Sequence, residues 1–94
     1  MRVISRKAIR DYGEVHPDAV PSLSNWLTIT RRAKWQTFAK LRADFGSADQ
    51  VGRRTVFNIS GNKYRLIARV NYETQKVFIL HIMKHVEYVK GEWK

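Results

Sequence analysis

Lys63-Tyr64-Arg65-Leu66-Ile67-Ala68-Arg69-Val70 is the stretch on which the reading of this chain turns. In an extended strand, successive side chains point to opposite faces. Tyr64, Leu66, Ala68 and Val70 then share an apolar face suited to a core. Lys63, Arg65, Ile67 and Arg69 share the other, which is expected to present three cations in a row. Like charges at that spacing repel unless an anion lies between them. Phosphate oxygens suit the role, because guanidinium forks bind them in bidentate fashion. The plain alternative is a solvent-facing strand with ordinary basic residues.

The strand period extends to both sides. Thr55-Val56-Phe57-Asn58-Ile59-Ser60 predicts a preceding strand, and Gly61-Asn62 a tight turn into residues 63–70. Residues 71–75 predict a second turn and residues 76–83 a third strand. Such short connections make the neighbours antiparallel. The third strand, Val77-Phe78-Ile79-Leu80-His81-Ile82-Met83, is apolar on both faces, which predicts a central position.

Upstream the period is helical. Residues 1–4 read as a short opening strand. Ser5 is a candidate N-cap, and Ile4, Ala8, Tyr12 and Val15 recur at helical spacing, predicting a helix over residues 6–15. Pro17 ends it by disfavouring helical geometry at His16. A second helix is expected from Asp18, as cap, to about residue 32, with Pro21 in its first turn. Val20, Leu23, Leu27, Trp26, Ile29 and Ala33 form its apolar stripe. Residues 35–45 read as a loop with a short helical turn, 46–52 as a polar connector, and the tail from 85 to 93 as ending in a helical turn. The pattern predicts an α+β domain: two N-terminal helices packed on a three- to four-stranded, mainly antiparallel sheet.

The 94 residues suffice for one domain, expected to span 1–94. Without cysteine there is neither a disulfide framework nor a thiolate metal site, which is compatible with a reducing cytoplasm. No apolar run reaches membrane-spanning length, and the basic start lacks the apolar stretch of a secretory signal. Charge is more telling: 18 Lys and Arg against 8 Asp and Glu leave +10. Residues 31–69 hold ten basic and two acidic residues, so +8 of that excess lies mid-chain. A polyanionic partner is expected.

His85 follows the third strand where it should end, and strand ends project onto the loops where functional groups concentrate. Its side chain exchanges protons near neutral pH. Lys84 adds charge beside it, and Tyr88 can hydrogen-bond or stack on a base. His81 lies inside the strand, where a histidine is commonly a packed residue. The two histidines remain alternatives until the strand register is known. Trp35, beside Lys34, is expected in the core, with base stacking as the alternative.

The run from Val56 through Ser60-Gly61-Asn62-Lys63-Tyr64-Arg65 to Ala68 resembles the strand–turn–strand signature of HigB-type toxins. Val77-Phe78-Ile79 and His85-x-Glu87-Tyr88 continue it. Ile4-Ser5-Arg6-Lys7-Ala8-Ile9 and the Trp26 region also fit, so the resemblance covers nearly the whole chain. It implies a RelE-like fold and an endoribonuclease that cuts messenger RNA, in this group often on the ribosome. It also implies a cytoplasmic setting and a HigA-type helix-turn-helix antitoxin, through which alone operator DNA would be met. Carried over by position, Arg65 would bind the scissile phosphate and its developing charge. His85 would be the main proton-transfer residue, with Tyr88 and Lys84 in positioning roles. Lys84 before the histidine and Val89 after the tyrosine depart from the family's usual pattern.

The implied chemistry suits these side chains. RNA carries its own nucleophile, the 2′-OH. An enzyme need only remove its proton, stabilise the phosphorane charge and protonate the leaving 5′-oxygen. Basic side chains do this without a metal or other cofactor. A metal-dependent nuclease would want a carboxylate cluster, and the eight acidic residues are scattered. Lys63, Arg69, Lys84, Arg53, Arg54 and Lys34 are the expected RNA- and phosphate-binding residues, with Arg31, Arg32 and Arg42 extending the docking surface. Two other readings stand beside this one. One is a non-catalytic RNA- or ribosome-binding module; the other is an interaction protein whose basic groove takes an acidic segment. Replacing His85 separates them from an enzyme. DNA binding fits less well, since the basic residues mark no recognition helix.

Overall fold

A computed structural model describes residues 1–91 and Trp93. In chain order the elements are β1 (Arg2–Ile4), α1 (Arg6–Val15), a 3-10 turn (Pro17–Ala19), α2 (Val20–Arg32), α3 (Phe38–Asp44), β2 (Asp49–Val51), β3 (Arg54–Ile59), β4 (Tyr64–Asn71), β5 (Lys76–Lys84) and α4 (His85–Lys90). The strands form one mixed sheet in the order β1-β5-β4-β3-β2. The three predicted strands are its antiparallel centre. β1 lies parallel on β5, and β2 lies antiparallel on β3. The expected three to four strands are therefore five, and the α+β class holds.

Local chemistry explains the helix boundaries. The Ser5 hydroxyl accepts from the Lys7 N–H at 3.2 Å, capping α1. Ahead of Pro17, His16 takes φ −126° and ψ 76°, outside the helical region. Asp18 does not cap α2: it lies in the 3-10 turn, Ala19 occupies the N-cap, and no side chain caps there. The Asp18 carboxylate instead accepts a 2.7 Å hydrogen bond from the Tyr64 hydroxyl. Gly13 brings α1 close to α2; a Cβ there would meet Val20 Cγ2 at 2.8 Å.

The helices cover one face of the sheet. Leu23 and Trp26 of α2 and Leu41 of α3 pack with Phe57, Tyr64, Leu66, Ala68 and Val77 of the central strands. Four rings run edge to face through this core: Trp26 to Phe57 at 5.4 Å, Phe57 to Phe45 at 5.2 Å, and Phe45 to Trp35 at 5.8 Å. Trp35 is buried as expected, and its indole N–H donates to Asp44 at 2.8 Å.

The opposite face departs from the expectation. Tyr64, Leu66, Ala68 and Val70 do pack on the helices. Their alternates do not form an exposed cationic row. Ile67 is fully buried against Val56 and Trp93, Arg65 is only 6% exposed, and Lys63 lies before the strand; only Arg69 points freely outward. The physical reason is a second, smaller cover: the chain after β5 returns across this face with Tyr88 and Trp93.

β5 lies between β1 and β4, but it is not the doubly buried central strand that its apolar run predicts: only Val77 is buried, and Leu80 is exposed. β1 pairs only with Lys76, Val77 and Phe78. Farther along, the register slips: Ile67 faces His81 while the next residue, Ala68, faces Ile79. Leu80 is thus the extra residue of a bulge. The bulge lets Ile79 and Ile82, three residues apart, both pack on the helix-side core. It leaves His81 exposed rather than packed.

Candidate active site

The candidate site lies where β4 begins and β5 ends. Antiparallel pairing sets Tyr64 opposite Lys84 and Arg65 opposite Met83. The chain then turns directly into α4, with the His85 N–H donating to the Lys63 carbonyl at 2.8 Å. At the helix start the Glu87 carboxylate accepts the Lys84 N–H at 3.1 Å. The first bond ties the histidine's backbone to the head of β4, and the second caps α4. The sequence separation between Lys63 and His85 is spanned by the β4–β5 hairpin.

Arg65 is the centre of this arrangement. One terminal nitrogen, Nη1, donates to the Tyr64 carbonyl at 3.0 Å and more distantly to the Asn62 carbonyl at 3.4 Å. The other, Nη2, donates to Asn62 Oδ1 at 2.7 Å. The guanidinium carbon sits 5.6 Å from the centre of the Tyr88 ring. Three of the five N–H groups are thus taken by neutral oxygens, and no carboxylate pairs with the charge among the described residues. A buried cation without a counter-ion is costly. Here the cost is borne by a turn asparagine, two carbonyls and an aromatic face, which hold the guanidinium still without a counter-ion among the described residues.

Tyr88 belongs to a longer stack. Its ring lies 5.1 Å from that of Trp93 at an interplanar angle of 11°, and the Trp93 indole N–H donates to the Tyr88 carbonyl at 3.0 Å. Arg54 closes the far side, with its guanidinium carbon 5.8 Å from the Trp93 ring centre and Nη1 donating to the Trp93 carbonyl at 3.2 Å. In the order Arg54, Trp93, Tyr88, Arg65 two cations flank a pair of stacked rings across this face. This stack couples β3, β4 and the C-terminal segment.

On the helix side of the same strand ends, Tyr64, Tyr12 and His16 form an aromatic cluster. Tyr12 stacks on His16 at 4.3 Å, and both meet Tyr64 edge to face, at 5.8 Å and 5.6 Å. Lys63 pairs with Asp18 at 3.7 Å. The Tyr64 hydroxyl, helped by the Lys63 charge, holds the Asp18 carboxyl below the usual carboxylate range. The same hydrogen bond raises Tyr64 above an ordinary tyrosine. Burial, and then the Glu87 charge, push Tyr12 up to about 12. The buried Tyr12 hydroxyl has no hydrogen-bond partner among the described residues, and neither has His85 Nδ1 at the start of α4.

The structure therefore brings together Lys63, Arg65, Lys84, His85 and Tyr88, and joins Arg54 to them through Trp93. Arg69 lies four residues along β4, exposed on the same face as Arg65. Arg53 is exposed in the turn before β3. Lys34 is apart: it follows α2 and shares a cleft with Gln75, at the other end of the hairpin. His81 is exposed beside the bulge, while His85 sits at the strand end with Arg65. The sequence reading missed the parts played by Asn62, Tyr12, His16, Asp18 and Trp93. Asn62 was legible only as a turn residue. Trp93, an aromatic residue outside any predicted strand, was the one visible sign that the second face has a cover.

Comparison with known proteins adds an independent line. A family model described as HigB toxin, RelE-like toxic component of a toxin–antitoxin system, matches residues 19–91. The mRNA interferase toxin HigB of Escherichia coli strain K12 is 32% identical over 91 residues, covering 94% of this chain and 88% of that protein. The mRNA interferase HigB of Shigella flexneri matches to the same extent. That of Escherichia coli O6:H1 is 26% identical over 93 residues, covering 96% of this chain and 90% of its own.

Proposed function

The chain belongs to the HigB family of RelE-like toxins, the toxic components of toxin–antitoxin systems, and we propose that it is an endoribonuclease that cuts messenger RNA on the ribosome. The observation that carries this reading is Arg65: a nearly buried guanidinium, fixed by neutral oxygens and a tyrosine face, with no carboxylate among the described residues to neutralise it. Such a group is prepared for a phosphate whose charge grows in the transition state. The names of the relatives, mRNA interferases, support the same substrate.

In the proposed reaction the 2′-OH of the nucleotide before the cut attacks the adjacent phosphorus. The P–O5′ bond breaks, leaving a 2′,3′-cyclic phosphate and a 5′-hydroxyl. Arg65 stabilises the phosphorane oxygens. His85 transfers the proton, and since its Nδ1 is shut away from solvent, exchange with substrate runs through Nε2. Tyr88 positions Arg65 through its ring and has a hydroxyl to offer the substrate. Lys84, Lys63, Arg69, Arg53 and Arg54 bind flanking phosphates. RNA supplies the nucleophile, so no metal enters this scheme.

The protein partner in this reading is a HigA-type antitoxin, and operator DNA is met only through it. The setting is the cytoplasm; no helix among the described residues is long and apolar enough to cross a membrane. The test is messenger-RNA cleavage in a reconstituted translation system, with ribosomes present or omitted. Wild type is compared with His85→Gln and Arg65→Ala. Ribosome-dependent cuts lost in both variants are expected. A folded wild type that makes no cuts overturns the enzyme in favour of an RNA-binding module.

A further inference from the structure

Which N–H groups of Arg65 are taken decides what the side chain can still bind. Both terminal nitrogens turn toward one residue: Nη1 donates to the Asn62 carbonyl at 3.4 Å and Nη2 to Asn62 Oδ1 at 2.7 Å. Nη1 directs its second N–H at the Tyr64 carbonyl, 3.0 Å away. Asn62 thus fills the end of the guanidinium, the edge between Nη1 and Nη2. The lateral edge remains, where an N–H of Nη2 lies parallel to that of Nε. Nε has no hydrogen-bond partner among the described residues, and it is not among the unpartnered polar atoms sealed from solvent there. The lateral edge is therefore the open one.

Asn62 is itself held. It sits in the turn between β3 and β4, where Ser60 and Gly61 take φ 53° and 64°. A serine in the left-handed region is uncommon and persists only with support from its surroundings. Ser60 Oγ donates to Ser22 Oγ of α2 at 3.0 Å, and the Lys63 N–H donates to the Ser60 carbonyl at 3.3 Å. The same turn receives the His85 N–H on its Lys63 carbonyl. One short connection sets the guanidinium through residue 62 and the histidine backbone through residue 63.

The chemistry of the holding group matters too. Two nearby acids are engaged with other groups: Asp18 with Tyr64 and Lys63, Glu87 with the Lys84 N–H. The side chain that reaches Arg65 is a neutral amide. An aspartate there would match it in size and in oxygen position, but would pair with the cation.

We propose that Asn62 is a positioning residue that selects the edge of Arg65 offered to the scissile phosphate. The inference rests on the ribonuclease reading above. With its end filled by Asn62, Arg65 meets the phosphate through the lateral Nε–Nη2 fork alone. Two parallel N–H bonds in one plane match the two non-bridging oxygens. Both oxygens gain charge as the phosphorane forms, so both bonds strengthen in the transition state. The attacking 2′-oxygen and the leaving 5′-oxygen then lie on the axis across that plane, clear of the guanidinium and open to proton transfer. Without Asn62 the guanidinium swings, and only a fraction of its orientations place the fork correctly.

The test follows messenger-RNA cleavage by the full chain in a reconstituted translation system, separating the rate at saturation from the half-saturating concentration. Asn62→Ala is expected to lower the saturating rate by about 10–100-fold and to leave the half-saturating concentration nearly unchanged. Asn62→Asp should melt at or above the wild-type temperature and yet cut at least as slowly as Asn62→Ala. A merely structural asparagine would instead be rescued by aspartate, so wild-type rates in Asn62→Asp overturn the proposal. The wild type supplies a readout free of folding effects. A messenger with a single sulphur at the scissile phosphate is presented as each diastereomer. Each is expected to be cut roughly fivefold more slowly, the worth of about one weakened hydrogen bond, because each non-bridging oxygen takes one arm of the fork. Slowing of one diastereomer alone overturns the fork. Wild-type cuts with an unchanged rate in Asn62→Ala overturn the positioning role and leave the ribonuclease standing. Absence of cuts by the wild type itself removes the cleavage reading and this proposal together.

Discussion

The two faces of the sheet are built to different ends. The helix-side face joins three helices and four strands through Trp26, Phe57, Leu66 and Leu41, all at or near zero exposure. Its polar needs are few, and burial of apolar area is its main source of stability. The opposite face has a thin cover: Val56, Ile67 and Trp93 are buried, with Val51, Met83 and Tyr88 half-covered. Into its edge the fold sets Arg65, a charge that an apolar core would reject. One face stabilises the domain, and that stability permits the other to hold a buried cation in place.

Several substitutions break or sharpen this contrast. Trp26→Ala cuts into the large core and is expected to lower stability by about 3–5 kcal/mol, read by denaturant unfolding. Trp93→Ala should cost less, about 2–3 kcal/mol, because its cover is one-sided. An equal or larger loss would mean that the thin face is a core in its own right. Arg65→Met separates stability from function most sharply. Stability should hold, or rise by about 1 kcal/mol, as a buried charge with no ion pair among the described residues is replaced by an apolar side chain. RNA cleavage should fall by about 10²–10³-fold. A clear loss of stability would assign Arg65 to the scaffold.

Gly13→Ala probes the seam between α1 and α2. The added methyl meets Val20 at 2.8 Å, so overpacking outweighs the usual helical gain of alanine. A net loss of about 1 kcal/mol is expected in thermal or chemical melts. Unchanged stability would show that the helices part easily.

The smallest effects concern pH. Tyr12 titrates near 12 in the fold against 10.0 when free, so its contribution is present below pH 10 and lost as pH rises toward 12. Tyr12→Phe, which also removes an unpartnered buried hydroxyl, should flatten that alkaline loss and leave neutral-pH stability within about 1 kcal/mol. At the other extreme, the Asp18 pKa is depressed. Its contribution is present above the ordinary carboxylate range and lost as pH falls through the folded value. Asp18→Asn should remove a small step from the acid limb of the stability profile below about pH 4. An unchanged acid limb would deny the Tyr64–Asp18 bond any role in solution.

Legibility followed the range of the interactions. The helix over 6–15 rests on contacts three and four residues apart and on a serine cap. The central hairpins rest on period-two alternation and on short turns. Their bounds agree with the structure to within a residue or so. β2 escaped notice because Asp49-Gln50-Val51 is short and polar, as edge strands commonly are. The parallel pairing of β1 with β5 joins residues more than seventy apart, and no local pattern signals it. Asp18 looked like a cap because aspartate at a helix start commonly is one; its carboxylate is taken instead by Tyr64, 46 residues away.

The candidate site divides in the same way. Its membership near the strand ends was legible, because Arg65 opens one strand and His85 follows the next, and antiparallel pairing brings such positions together. By itself the amino-acid order determined which residues line each side of β4, where the chain turns, and that positive charge dominates. Only the tertiary structure decided that Arg65 is buried and Lys34 distant. Tyr88 and Trp93 must fold back over β4 before a strand cation becomes an enclosed one. Alternation assigns a side chain to a face, but what covers that face comes from elsewhere in the chain.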